Sequence, residues 1–302
     1  MSLYTMKQII EAAEEKGVKI STVAMEMESK ESGLSIDEIK KRMTRYYDIM
    51  KNAVSHGINQ VIPSVSGLTG GEGFRLWQEK DKGLSGETIL KASSRAMAVS
   101  NVNASMGRVV AAPTAGSCGI IPGVLMTIGE RLGKSEEEIV DALITTAVVG
   151  KVIAQNATVA GSEGGCQAEC GAASAMAAAA AVELSGGTPS QAGHAAAIAI
   201  KGVMGLICDP VAGLVEVPCI KRNSFGAAQA ILAADMAMSG IESIIPVDEV
   251  IKAMGDVGHA MPEELKETAM GGIAASETAK KLEKKLLKKD KIHESTFKEN
   301  LE

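Results

Sequence analysis

The stretch GAASAMAAAAAVELSGG, residues 171–187, constrains the fold more than any other. Alanine is the strongest helix former, and a glycine pair after such a run closes a helix. An alanine helix has little side-chain volume of its own, so its neighbours must approach closely to bury it. The rest of the chain follows suit: 46% of residues are hydrophobic but only 2% are aromatic, and alanine, glycine and methionine carry the apolar content. Strands favour aromatic and β-branched residues. The expected fold is therefore all-α, a compact multi-helix domain.

With 302 residues the chain can bury a sizeable core. SIDE at 35–38 and SEEE at 135–138 have the form of capping boxes, and TPSQ at 188–191 places Thr at the cap and Pro at the first helical position. Helices are predicted over 5–16, 35–56, 84–107, 118–132, 136–152, 171–185, 189–205, 224–238, 247–254, 262–270 and 276–289. No alternating pattern competes with them. One helical domain is expected over 1–279. The tail 280–302 changes composition, with seven lysines between Lys280 and Lys291. It reads as a solvated surface helix whose packed side carries Leu282, Leu286 and Leu287.

The net charge of −6, with no basic face interleaved with aromatics, argues against nucleic-acid binding. The N-terminus is charged early and has no signal-peptide core, and the alanine run is too short and too weakly hydrophobic for a bilayer. A cytoplasmic protein is expected. Five cysteines there point to free, metal-bound or catalytic thiols rather than disulfides.

Glycine-rich segments separate the helices: PSVSGLTGGEG (63–73), APTAGSCG (112–119), AGSEGGCQAECG (160–171) and CDPVAGLVEVPC (208–219). All five cysteines lie in or beside them. Cys208 and Cys219 bracket an irregular segment with two prolines, which can fold back onto one centre. Cys166 precedes the alanine helix, where unpaired N–H groups favour a thiolate. The spacing is neither that of a zinc ribbon nor that of a ferredoxin, and leaves both metal ligation and inert packing open. His56, at a helix end, and His194, within a helix, are candidate general bases or ordinary helix-end and core histidines. His259 reads as part of a cap. The hydroxyl-rich 63–73 loop is either a surface turn or a backbone cradle for a carboxylate. GGEG and GSEGG are not phosphate-binding fingerprints, because neither follows a strand.

APTAGSCGIIPGVL (112–125), EGGCQAE (163–169) and CDPVAGLVEVPCIKRN (208–223), with PSVSGLTGGEG, resemble the α chain of the bacterial iron–sulfur L-serine dehydratases over about residues 5–275. The resemblance implies an all-helical domain holding a [4Fe–4S] cluster through Cys166, Cys208 and Cys219, with one iron open to substrate. It implies conversion of L-serine to pyruvate and ammonia, the iron acting as a Lewis acid on the hydroxyl. A base removes the Cα proton, with His56 the candidate on this chain. Hydroxyls and amides hold the carboxylate: Ser64, Ser66, Thr69 and Gly70 in the first loop, Thr114 and Ser117 in the second, and Asn156, Arg222 and Asn223 beyond them.

Two positions depart from the family pattern. Cys118 stands where a small residue such as alanine is usual, and Cys170 where a non-cysteine apolar residue is usual, so neither is expected to be a ligand. In some single-chain relatives the final cysteine caps the open iron in the resting state, whereas this chain ends KENLE. They also carry a separate α/β domain with a serine–histidine motif that is not found here, so a partner β subunit is expected, and the base can reside on it. A related lyase acting on L-threonine, L-cysteine, D-serine or another β-substituted amino acid, a non-catalytic helical module and a zinc protein are the alternatives.

Overall fold

The structure, a computed structural model, describes residues 5–287. Twelve named helices follow in order: α1 (Met6–Lys16), α2 (Ile20–Ser32), α3 (Ile36–Asn59), α4 (Glu72–Gln78), α5 (Glu87–Ala104), α6 (Ile120–Leu132), α7 (Glu136–Asn156), α8 (Gly161–Gly164), α9 (Ala172–Leu184), α10 (Pro189–Gly202), α11 (Cys219–Met238) and α12 (Val247–Ala260). A further helix, α13, runs over 277–287. Among the described residues there are no strands, only two isolated bridges. No helix of the described residues is long and apolar enough to cross a membrane.

The alanine run lies at the centre. Every residue of α9 is buried, and α6, α7, α10 and α11 pack around it. Methyl-sized side chains on all sides of one helix let four neighbours reach it at once. The anticipated starts hold: Ser35, Ser135 and Thr188 each form a reciprocal capping box.

Three helices go beyond the sequence expectation: α2, α4 and the four-residue α8. The first, α2, has Lys19 at its cap with no side-chain bond, and its Ser21 N–H instead donates to Glu183 Oε2 of α9 at 3.1 Å. A cap from 162 residues away leaves no local start signal. The second, α4, opens at Gly71 with φ 74°, a left-handed start that glycine supplies.

The expected helix at 262–270 is absent. Only a 3₁₀ turn at Glu263–Leu265 forms, because the chain then pairs with the cysteine loop. Cys208 N–H donates to Leu265 O at 2.8 Å and Glu267 N–H donates to Cys208 O at 2.7 Å, while Glu267 and Ala269 adopt φ of 66° and 56°. Left-handed residues of this kind end a helix. Leu282 and Leu286 of α13 are half-buried, but Leu287 is exposed, because it points away from the surface that the other two cover. Residues 288–302 of the predicted tail lie outside the described residues.

Candidate functional site

Cys166, Cys208 and Cys219 come from three separate segments, and all are buried. Cys166 opens a turn of π-helix, Gln167–Gly171, that leads into α9. Cys208 sits at the bridge with Lys266, and Cys219 is the first residue of α11. Their charges act on one another. The Cys170 thiol hydrogen-bonds the Cys166 sulfur, which lowers Cys166 below the ordinary thiol value and raises Cys170 well above it. Burial pushes Cys208 up and Cys219 up to about 12. All five cysteines are free.

Thiols are the donor type that an iron–sulfur cluster takes. Among the described residues no three His, Cys, Asp or Glu side chains converge as ligands of a single metal do. Two thiols that burial keeps protonated need a cationic centre to ionise them. Cys118 stands apart, packed with Ala53, Val54, Ile62, Val99 and Val102, its thiol pushed up to about 12 by burial.

Carboxylates join these segments. In the first loop the hydroxyls of Ser66 and Thr69 donate to Glu216 at 2.9 and 2.8 Å, and Glu216, which falls between Cys208 and Cys219 in the sequence, is itself buried. Ser64 Oγ lies 3.3 Å from Ser66 Oγ and accepts the Thr69 N–H. Gly70 N–H donates to Glu72, which also binds Asn101 and Lys221. The loop thus does hold a carboxylate, that of the chain's own Glu216. A cavity of about 720 Å³ adjoins Ser66 and Glu216 and is lined in part by Val65, Met106, Leu214 and Leu286.

In the second loop Thr114 donates to Glu169 and lies 3.2 Å from Ser117. Glu169, three residues beyond Cys166, is buried, and its carboxyl is raised above the ordinary range by that burial. Its side chain lies against Gly116, where a Cβ would come within 2.4 Å of it. A side chain there would have to move the Glu169 carboxylate.

Arg222 donates to Ile207 O at 2.9 Å and Asp209 Oδ1 at 2.8 Å, spanning both neighbours of Cys208 from the helix that begins at Cys219. Its charge also acts on Cys166 and Cys219. Asn223 is fully buried; its amide donates to Gly116 O and Cys219 O and accepts the Gly119 N–H. These two residues brace the cysteine segments, and Asn223 fixes the second loop to α11. Asn156 donates to Val152 O in its own helix.

His56 is exposed on the last turn of α3. His194 accepts the Ser243 N–H, and His259 bonds Gly255 O one turn back. The sequence reading passed over Asp209, Glu169, Glu216 and Glu267. The first three lie inside the quoted glycine-rich motifs, where an acid flanked by small residues was the available signal. Glu267 was hidden by the expected helix.

The family described as "Serine dehydratase alpha chain" matches residues 15–274. The chain belongs to the serine dehydratase alpha chain family. It is 48% identical over 283 residues to the probable L-serine dehydratase, alpha chain, of Bacillus subtilis (strain 168), covering 93% of this chain and 94% of that one. Against the L-serine dehydratase, alpha chain, of Peptoniphilus asaccharolyticus the figures are 44% over 288 residues, 95% and 99%. The L-serine dehydratase of Streptomyces coelicolor (strain ATCC BAA-471 / A3(2) / M145) is 38% identical over 280 residues, which cover 90% of this chain but 60% of that longer protein. The span matched to the serine dehydratase alpha chain family takes in Cys166, Cys208, Cys219 and the four acids, and ends before α13.

Proposed function

We propose that this chain is the α subunit of an L-serine dehydratase that converts L-serine to pyruvate and ammonia, with a [4Fe–4S] cluster held by Cys166, Cys208 and Cys219. The observation that carries this is three buried thiols, from three segments of a serine dehydratase alpha chain, whose charges act on one another. The names of the relatives supply the substrate class and the α designation.

When bound, the cluster supplies a Lewis acid at the substrate hydroxyl, needed because hydroxide is a poor leaving group. Arg222 and Asn223 hold the ligand-bearing segments in register, and Arg222 offsets thiolate charge. Ser64, Ser66, Thr69 and Gly70, with Thr114 and Ser117, are the groups proposed to take the substrate carboxylate, which would displace Glu216 from Ser66 and Thr69, Glu72 from Gly70 and Glu169 from Thr114. Glu216 pre-orients two of those hydroxyls. Burial of the thiols excludes water from the reacting centre. Removal of the Cα proton is assigned to His56 or to a group on a β subunit, which we propose as the partner in a cytoplasmic assembly.

The test is anaerobic reconstitution with a β chain. Expected are a brown protein with about four irons and four sulfides per α chain, and pyruvate formed from L-serine. Iron-free protein after reconstitution defeats the cluster. Turnover of L-threonine, L-cysteine or D-serine with none of L-serine defeats the substrate. One tightly held zinc ion defeats the cofactor.

A further inference from the structure

Gly161 opens the short helix α8 just before the Cys166 turn. A Cβ built there would lie 3.1 Å from Cys208 Sγ, 3.3 Å from Glu267 Oε2 and 3.6 Å from Glu169 Oε2. Three chemically active side chains from three segments therefore converge on one point that no side chain occupies. Cys208 is buried. Among the described residues neither carboxylate forms an ion pair; Glu169 takes its bonds from Thr114 and the Gly116 N–H. Each charge raises the cost of the other, so the space between them favours a cation.

We infer that the space over Gly161, bounded by Cys208 and the carboxylates of Glu169 and Glu267, receives the α-ammonium group of the amino-acid substrate. This rests on the amino-acid lyase reading above. A β-hydroxy amino acid presents three groups to its enzyme. The hydroxyl belongs at the cluster and the carboxylate at the hydroxyl-bearing loops; nothing in those assignments receives the ammonium. Glu169 and Glu267 supply the missing complement beside a thiol that would hold the cluster. Two carboxylates around one ammonium give charge-assisted hydrogen bonds from a donor with three N–H groups. Glu267 is held there by its own backbone, whose N–H is bound to Cys208 O and whose φ is 66°. The subsite is thus tied to the ligand that it adjoins.

The experiment is calorimetric titration of the anaerobic α/β holoenzyme with two ligands that have no hydroxyl to lose. L-Alanine carries the ammonium; propionate does not. Wild type is expected to prefer L-alanine by about tenfold or more. Glu267→Gln, at an exposed position where folding is not at stake, is expected to bring that preference to within about threefold while iron content and propionate affinity stay as in wild type. Glu169→Gln is expected to do the same. Equal weakening of both ligands, or an unchanged preference in both variants, overturns the inference. So does a wild type that turns over L-serine yet binds L-alanine no better than propionate. A cluster-loaded wild type that turns over none of L-serine, L-threonine, L-cysteine and D-serine instead defeats the lyase reading, and the inference falls with it.

Discussion

Arg222 and Asp209 form a 2.8 Å ion pair that joins the first turn of α11 to the residue beside Cys208. The Asp209 side chain is 3% exposed and also accepts the Ile273 N–H at 2.7 Å. Arg222→Ala therefore strands a buried carboxylate. We expect a loss of about 3–5 kcal/mol in the iron-free protein, read as a lower urea midpoint. After reconstitution we also expect less iron per chain, because Cys208 and Cys219 lose their common brace. An unchanged midpoint would show that the pair does not hold the segments.

The cysteines separate into two groups. Cys166→Ala, Cys208→Ala and Cys219→Ala are each expected to abolish cluster binding. Cys118→Ala and Cys170→Ala are expected to retain it, although Cys170 touches the Cys166 sulfur. Cys118→Ala should cost only about 1 kcal/mol for its one lost buried atom. In the folded protein the Cys118 thiol, pushed up to about 12, is expected to resist iodoacetamide at mildly alkaline pH. Iron analysis of the five variants and mass spectrometry of alkylated protein check these outcomes, and equal iron loss across all five would refute the assignment.

Glu216→Gln keeps the shape of the side chain but replaces a charged acceptor with a neutral one. Two hydroxyl bonds weaken, so the expected cost is about 1–3 kcal/mol. The loop at 63–73 should then open more readily, seen as faster amide exchange at Ser64, whose N–H donates to Thr69 O. In the holoenzyme the KM for L-serine is expected to rise more than kcat falls. Exchange that is unchanged would place the loop's stability elsewhere.

Glu183 sets a pH dependence. Burial raises its carboxyl above the ordinary 4.5 in the folded protein, against the weaker opposing bonds from Ser21. The folded state therefore holds this proton more tightly than the unfolded chain does. That contribution to stability is complete below pH about 4.5 and is lost as pH rises through the raised native value. Glu183→Gln retains an acceptor for the Ser21 N–H and has no proton to lose. Subtracting its urea stability from that of wild type across pH 4 to 8 should give a difference that declines with rising pH. A flat difference would contradict the burial effect.

Much of the fold is legible locally because capping boxes and glycine stops are local signals. Ser35, Ser135 and Thr188 open helices just where their hydroxyls meet an N–H three residues on. What stays hidden depends on distant partners. The start of α2 needs Glu183, and the non-helical course of 265–269 needs Cys208. The site divides in the same way. The thiols stand out by residue type, whereas Glu216, Glu169 and Glu267 look like ordinary surface acids until the loops close around them. Arg222 and Asn223 stand out through the family resemblance as holders of the substrate carboxylate, but their bracing contacts reach Ile207 and Gly116, which no spacing rule connects.

The enclosure of α9 on every side has a consequence for variation. A surface helix tolerates many residues on its outer face, but α9 has no outer face. Each Ala→Val change there adds two carbons against a neighbouring helix, at a cost of about 1–3 kcal/mol. At its alanine and serine positions the helix thus works as a spacer of fixed gauge: the permitted alphabet there is the few smallest side chains, and drift elsewhere in the protein must accommodate it.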